Sequence, residues 1–95
     1  MMSKSRTFEN VTAEIFACIK ETTWVKHAAI YEPANALAGT VRTAVPLVGT
    51  VVLAFEFDPE AETLTYSIVK KPFVVAEHYI WDGIQETIDG CGTVG

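Results

Sequence analysis

The stretch TVVLAFEFDPEAETLTYSIVKK, residues 50–71, leaves this chain the fewest choices. It contains two runs of alternating apolar and polar or small residues, separated by Asp58-Pro59-Glu60-Ala61-Glu62. Alternation with a period of two is the mark of a strand with one buried face, and Asp-Pro is a strong turn initiator. The spacing therefore predicts a hairpin in which Val51, Leu53, Phe55 and Phe57 share a face with Leu64, Tyr66 and Ile68. The opposite face carries Val52, Ala54, Glu56, Thr63, Thr65, Ser67 and Val69. That set is small and mixed, compatible with water or with a partner sheet. Pro72, which has no amide hydrogen to donate, ends the ladder.

An apolar sheet face needs a cover, and two segments with helical spacing supply it. In TFENVTAEIFACIKETTW the residues Phe8, Val11, Ile15, Cys18, Ile19 and Thr22 recur at steps of three and four. Ser5 or Thr7 would cap this helix, and Glu9 suits its first turn. Near the C-terminus, Ala76, Ile80, Gly83, Ile84, Thr87 and Ile88 gather on one side of a helical wheel, with Trp81 at the margin. His78, Asp82, Gln85, Glu86 and Asp89 gather on the other side, and Gly90 is placed to cap the end.

Between the first helix and the hairpin the signals are weaker. WVKHAAIYE (24–32) reads as a strand without a clean polar face. TVRTAVPLVG (40–49) is β-branched but contains Pro46, which suits an irregular edge strand or a movable flap. The expectation is a single α+β domain over 1–95, with flexible ends at 1–5 and 92–95. It is a two-layer α/β sandwich of order α-β-(β)-β-β-α. An antiparallel sheet of three to four strands carries the N- and C-terminal helices on one face. This order resembles that of the double-stranded RNA-binding domain. Such a domain needs lysines at the start of its last helix, where this chain has Glu77, His78 and Asp82.

Charge points the same way. The net charge is −5, with residues 56–95 carrying eight acids against Lys70 and Lys71. A phosphate-binding surface needs clustered cations, so no nucleic acid partner is expected. The start, MMSKSRTFEN, lacks the apolar core of a secretory signal, and no apolar run nears the ~20 residues of a membrane span. Cytoplasm is the default expectation. Asn10-Val11-Thr12 fits a glycosylation sequon inside the expected helix and is read as chance.

The reactive residue types do not form a recognisable catalytic set. His78, Asp82 and Glu86 follow one another at four-residue steps, which any polar helix face produces, and no further metal ligand of definite spacing is visible. Glu56, Asp58, Glu60 and Glu62 lack the glycine and closing glutamate of a calcium loop. Cys18 lies on the core margin of the first helix, and Cys91 is expected to be exposed between glycines. Joining them would need adjacent helices and an oxidising compartment. No catalytic residue, metal or cofactor is assigned.

Apolar residues make up 49% of the chain and mean hydropathy is +0.25. A chain this small has little interior, so some apolar surface is expected to meet a ligand or another chain. Trp24, Tyr31, Phe73, Tyr79 and Trp81 fall at element ends or stripe margins, and Arg42 is the cation within 40–49. These six are the candidate ligand or interface residues. The first reading is a protein-binding module that self-associates as a homodimer. The alternative is a carrier or sensor of a small hydrophobic ligand, with 39–49 as flap. A small enzyme using His27 or His78 ranks third.

Overall fold

The computed structural model describes residues 4–94, with side chains as far as residue 92. The chain forms β1 (Ser5–Phe8), α1 (Ala13–His27), β2 (Ile30–Glu32), β3 (Ala38–Val45), β4 (Gly49–Asp58), β5 (Thr63–Lys70) and α2 (Glu77–Val94). The strands make one antiparallel sheet in the order β1-β5-β4-β3-β2. It has five strands rather than three or four. The expected helices are present at either end of the strand block, both on one face.

The hairpin is as its alternation predicts. Leu53 pairs with Ile68, Phe55 with Tyr66 and Phe57 with Leu64. Asp58 Oδ1 accepts from the amides of Glu60 and Ala61 at 3.0 and 3.2 Å, which closes the turn. A bulge between Val52 and Leu53 shifts the register near the open end.

The fifth strand comes from the N-terminus. Ser5 pairs with Ser67 and Phe8 with Leu64, so Phe8 ends a strand instead of starting the helical stripe. Asn10 at φ 62° breaks the chain direction. Thr12, not Ser5 or Thr7, then caps α1, its hydroxyl accepting from the Ile15 amide at 3.2 Å. Ser5 and Gly92, from the expected flexible ends, belong to β1 and α2; residues 1–3 and 95 lie outside the described residues.

The expected strand over 24–32 is confined to Ile30–Glu32, because α1 runs through Trp24 to His27. Thr22 and Thr23 do not stop it. The Thr23 hydroxyl bonds back to the Ile19 carbonyl at 2.8 Å, and Lys26 and His27 complement the helix dipole in the last turn. Ala28, in the left-handed conformation, ends the helix, with the Ala29 amide returning to the Thr23 carbonyl.

Segment 40–49 is neither flap nor edge. β3 lies between β4 and β2, and Pro46 falls just past it, in the turn before Gly49. The edges are β1 and β2, of four and three residues, and short edges limit strand addition by other chains.

Both helices cover the face formed by Tyr31, Val41, Val51, Leu53, Phe55, Phe57, Leu64 and Tyr66. Phe16 of α1 stacks on Phe57 with centroids 4.6 Å apart, and Trp81 of α2 packs beside Phe8. Trp81 is central rather than marginal, with 6% of its surface exposed. The buried stripe of α2 is Trp81, Ile88 and Cys91, flanked by half-buried Ile80 and Ile84. It is rotated from the expected face, leaving Gly83 exposed. α2 continues past Gly90 to Val94, which buries Cys91 and joins it to Cys18 in a disulfide with Cα atoms 5.9 Å apart.

Candidate functional site

The six candidate residues do not converge. Tyr31 and Trp81 belong to the core. Trp24 is 59% exposed on the outer side of α1. Arg42 lies on β3 and pairs with Glu32 at 3.2 Å. Phe73 stands exposed on the connection from β5 to α2, and Tyr79 is exposed on the first turn of α2, stacked with His78 at 5.7 Å. Only Trp24 and Tyr31 meet at one place. They line a shallow, open groove of about 410 Å³ between α1 and β2, with Ala17, Lys20, Glu21 and Ile30.

A larger surface is the sheet face turned away from the helices. Pairing places Ser5, Ser67, Ala54, Thr40 and Glu32 in one row across all five strands. Thr7, Thr65, Glu56 and Ala38 form the next row on one side, and Lys70, Val52, Arg42 and Ile30 form the row on the other. The face is built from small, hydroxylated and β-branched side chains. Ser5 and Ser67 share a hydrogen bond of 2.7 Å, and Thr7 and Thr65 one of 2.8 Å. Arg42 and Glu32 neutralise each other, and Glu56 and Asp58 are the exposed acids toward the far end of β4. The hairpin alternation exposes the β4 and β5 parts of this face in the sequence. The contribution of Ser5 and Thr7 is missed, since only an Arg6/Phe8 alternation in four residues signals it.

The titratable groups offer no comparable site. His27 is exposed at the end of α1, and its carbonyl accepts from the Thr43 hydroxyl at 2.9 Å. Cys18 and Cys91 are joined, so neither presents a thiol in this state. Among the described residues no group of three or more His, Cys, Asp or Glu could hold a metal ion. Perturbed groups lie in the core: the Tyr31 and Tyr66 hydroxyls touch at 2.6 Å. Burial, which disfavours phenolate, raises both above their ordinary pKa. Hydrogen bonds with Tyr66 and Thr23 partly offset this for Tyr31, while the Tyr31 neighbour adds to it for Tyr66.

No described helix is long and apolar enough to cross a membrane. No family model, curated relative or solved structure matches this chain.

Proposed function

We propose that the protein acts by binding, and that it self-associates through the sheet face opposite its helices. The observation that carries this is the row across all five strands on that face, in which four of the five side chains, Ser5, Ser67, Ala54 and Thr40, are small. Five strands about 4.8 Å apart, some seven residues long at about 3.3 Å each, present roughly 500 Å² in projection. The accessible area of a corrugated face exceeds its projection, which brings it near the ~800 Å² that one partner gives to a standard interface. Much of the polar surface of this face is already paired, and Glu56 and Lys70 are the charges that a second copy would have to leave at the rim or pair. The serine and threonine hydroxyls are already paired across strands and Arg42 already has Glu32. A second copy of the same face offers matching flat pleats at sheet-packing distance.

Native mass spectrometry across a range of concentrations tests this, together with an Ala54→Arg variant at the centre of the face. A dimer that becomes a monomer in the variant, with unchanged circular dichroism, supports the proposal. A monomer at every concentration overturns it.

A second reading rests on exposed Trp24 in the groove beside Ile30 and Tyr31. The groove is shallow and apolar, so it would hold one face of a small apolar ligand rather than enclose it. The same spectra would carry it: an added mass of a few hundred daltons, lost in Trp24→Ala, marks a bound apolar ligand.

A further inference from the structure

We infer that the end of the sheet formed by the β3–β4 turn and the β5–α2 connection is a docking tip for an anionic lipid surface, distinct from the sheet face opposite the helices. The two loops are neighbours: a side-chain carbon on Gly49 would lie 3.0 Å from Pro72 Cγ. Between them they hold the most exposed apolar side chains of the molecule. Leu47 is 108% exposed and Phe73 92%, with Val48 and Val74 beside them and exposed Val69 at the end of β5. Exposure this complete means that the side chains project, so the tip is convex.

The backbone adds a second sign. Leu47 is held at φ 68°, a conformation costly for a non-glycine residue and usual for glycine or asparagine in a turn. The turn thus keeps a large apolar side chain at its apex despite a local penalty.

Charge selects the kind of surface. Exposed Lys70 and half-buried Lys71, whose ammonium donates to the Val75 carbonyl at 2.7 Å, immediately precede Pro72, and Lys4 lies at the same end, where it offsets an acid rather than adding charge. The end of α1, with Lys26, reaches this side through the bond between His27 and Thr43. Glu77 is the acid nearest the tip, and Lys4 neutralises it at 3.3 Å. Asp58, Glu60 and Glu62 lie in the β4–β5 turn at the opposite end, and Glu9 and Glu14 flank the start of α1 there. With a principal extent of 34 Å and a screening length of about 8 Å at physiological salt, the acidic end does not cancel the field at the tip. Lysines beside projecting leucine, valine and phenylalanine are the pattern that an acidic headgroup layer over acyl chains attracts.

Flotation of the full chain with vesicles of phosphatidylcholine alone, or with added phosphatidylserine, tests the tip. Binding to the serine-containing vesicles is expected, falling at least about tenfold in Leu47→Asp and in Phe73→Asp as apolar insertion is lost. Lys70→Glu with Lys26→Glu, both at exposed positions, should abolish the preference for anionic vesicles. Both apolar positions are fully exposed, so the variants should retain the wild-type far-ultraviolet spectrum. Absence of binding to both vesicle types, or equal binding to both, overturns the inference. So does a Phe73→Asp variant that binds vesicles like wild type. If Phe73→Asp instead dissolves a dimer without any vesicle binding in the parent, the tip is a protein contact. An Ala54→Arg variant that is monomeric yet binds vesicles would separate the tip from the sheet-face interface.

Discussion

The hydroxyls of Tyr31 and Tyr66 meet at 2.6 Å inside the core, one from an edge strand and one from the hairpin. Each hydroxyl is the other's side-chain hydrogen-bond partner, and the nearby Thr23 hydroxyl donates instead to the Ile19 carbonyl at 2.8 Å. Tyr31→Phe removes the Tyr66 partner and should cost about 1–3 kcal/mol, the range for a buried hydroxyl left unsatisfied. Tyr66→Phe leaves the Tyr31 hydroxyl without its partner in turn and should cost a similar amount. The double variant should cost less than the two singles added, and urea unfolding of all four proteins closes the cycle. Additivity would mean that the hydroxyls do not interact.

The same pair sets an alkaline limit. Both groups have folded pKa values above the ordinary 10.0, chiefly through burial. Above that pH the unfolded chain loses protons that the native chain keeps, so stability falls as pH rises. It is fully present below 10.0. The slope should reach up to about 1.4 kcal/mol per pH unit for each tyrosine. Urea midpoints measured upward from neutral pH should break downward near 10.0, and the Tyr31→Phe/Tyr66→Phe double variant should show a weaker break. An identical break in that variant would assign the effect to other groups.

The disulfide between Cys18 and Cys91 spans 73 residues of sequence. In the chain-entropy account, a loop of that length adds about 4 kcal/mol by constraining the unfolded chain. Cys91 also extends the buried stripe of α2, so the bridge ties down the last turns of that helix against α1. Reduction, or Cys91→Ser, should lower the unfolding free energy by about 2–5 kcal/mol and raise amide exchange over 89–92 more than over 80–84. Equal stability with and without reductant would show that the bridge is not formed in the protein as purified.

What can be read from the sequence depends on the range of each signal. The hairpin is legible because alternation and the Asp58 turn are local features. β1 is not, since four residues acquire meaning only from partners some sixty positions away, and Phe8 happens to sit three residues from Val11. The rotation of α2 is hidden because Gly90 looks like a stop, whereas continuation to Cys91 is set by the helix it meets. The same limit governs the candidate surfaces. Residue type marks Trp24 and Trp81 alike, but one faces water and the other the core. Leu47 carries no signal until the turn places it beside Phe73.

Two glycines should respond oppositely to alanine. Gly39 of β3 lies against the Glu32 carbonyl oxygen so closely that a side-chain carbon would overlap it, with Pro33 Cδ at 3.0 Å. The obstacle is backbone and cannot swing aside, so Gly39→Ala should destabilise by about 1–3 kcal/mol and loosen β2 from β3. Gly83, exposed on α2, has no atom within 4 Å of the place a side-chain carbon would take, and Gly83→Ala should stabilise by about 0.5–1 kcal/mol through helix propensity. Thermal melts of both variants check the pair, and a neutral Gly39→Ala would mean that β2 yields freely.

The two tryptophans divide core from surface. Trp81 is closed in by Phe8 at 6.4 Å and by the Arg6 guanidinium 5.5 Å over its ring, whereas Trp24 stands on the open side of α1. Deleting a buried aromatic costs about 3–5 kcal/mol, so Trp81→Ala and Phe55→Ala should each remove a large share of the stability of a domain this size. His78→Ala lies on the exposed side of α2 and should fall within about 0.5 kcal/mol of wild type. In Trp24→Phe the remaining Trp81 emission should be blue-shifted and poorly quenched by iodide; in Trp81→Phe the remaining Trp24 should be red-shifted and readily quenched. A His78→Ala midpoint that moves as far as that of Phe55→Ala would invert the assignment of the α2 faces. Quenching of Trp81 as efficient as that of Trp24 would place α2 off the sheet.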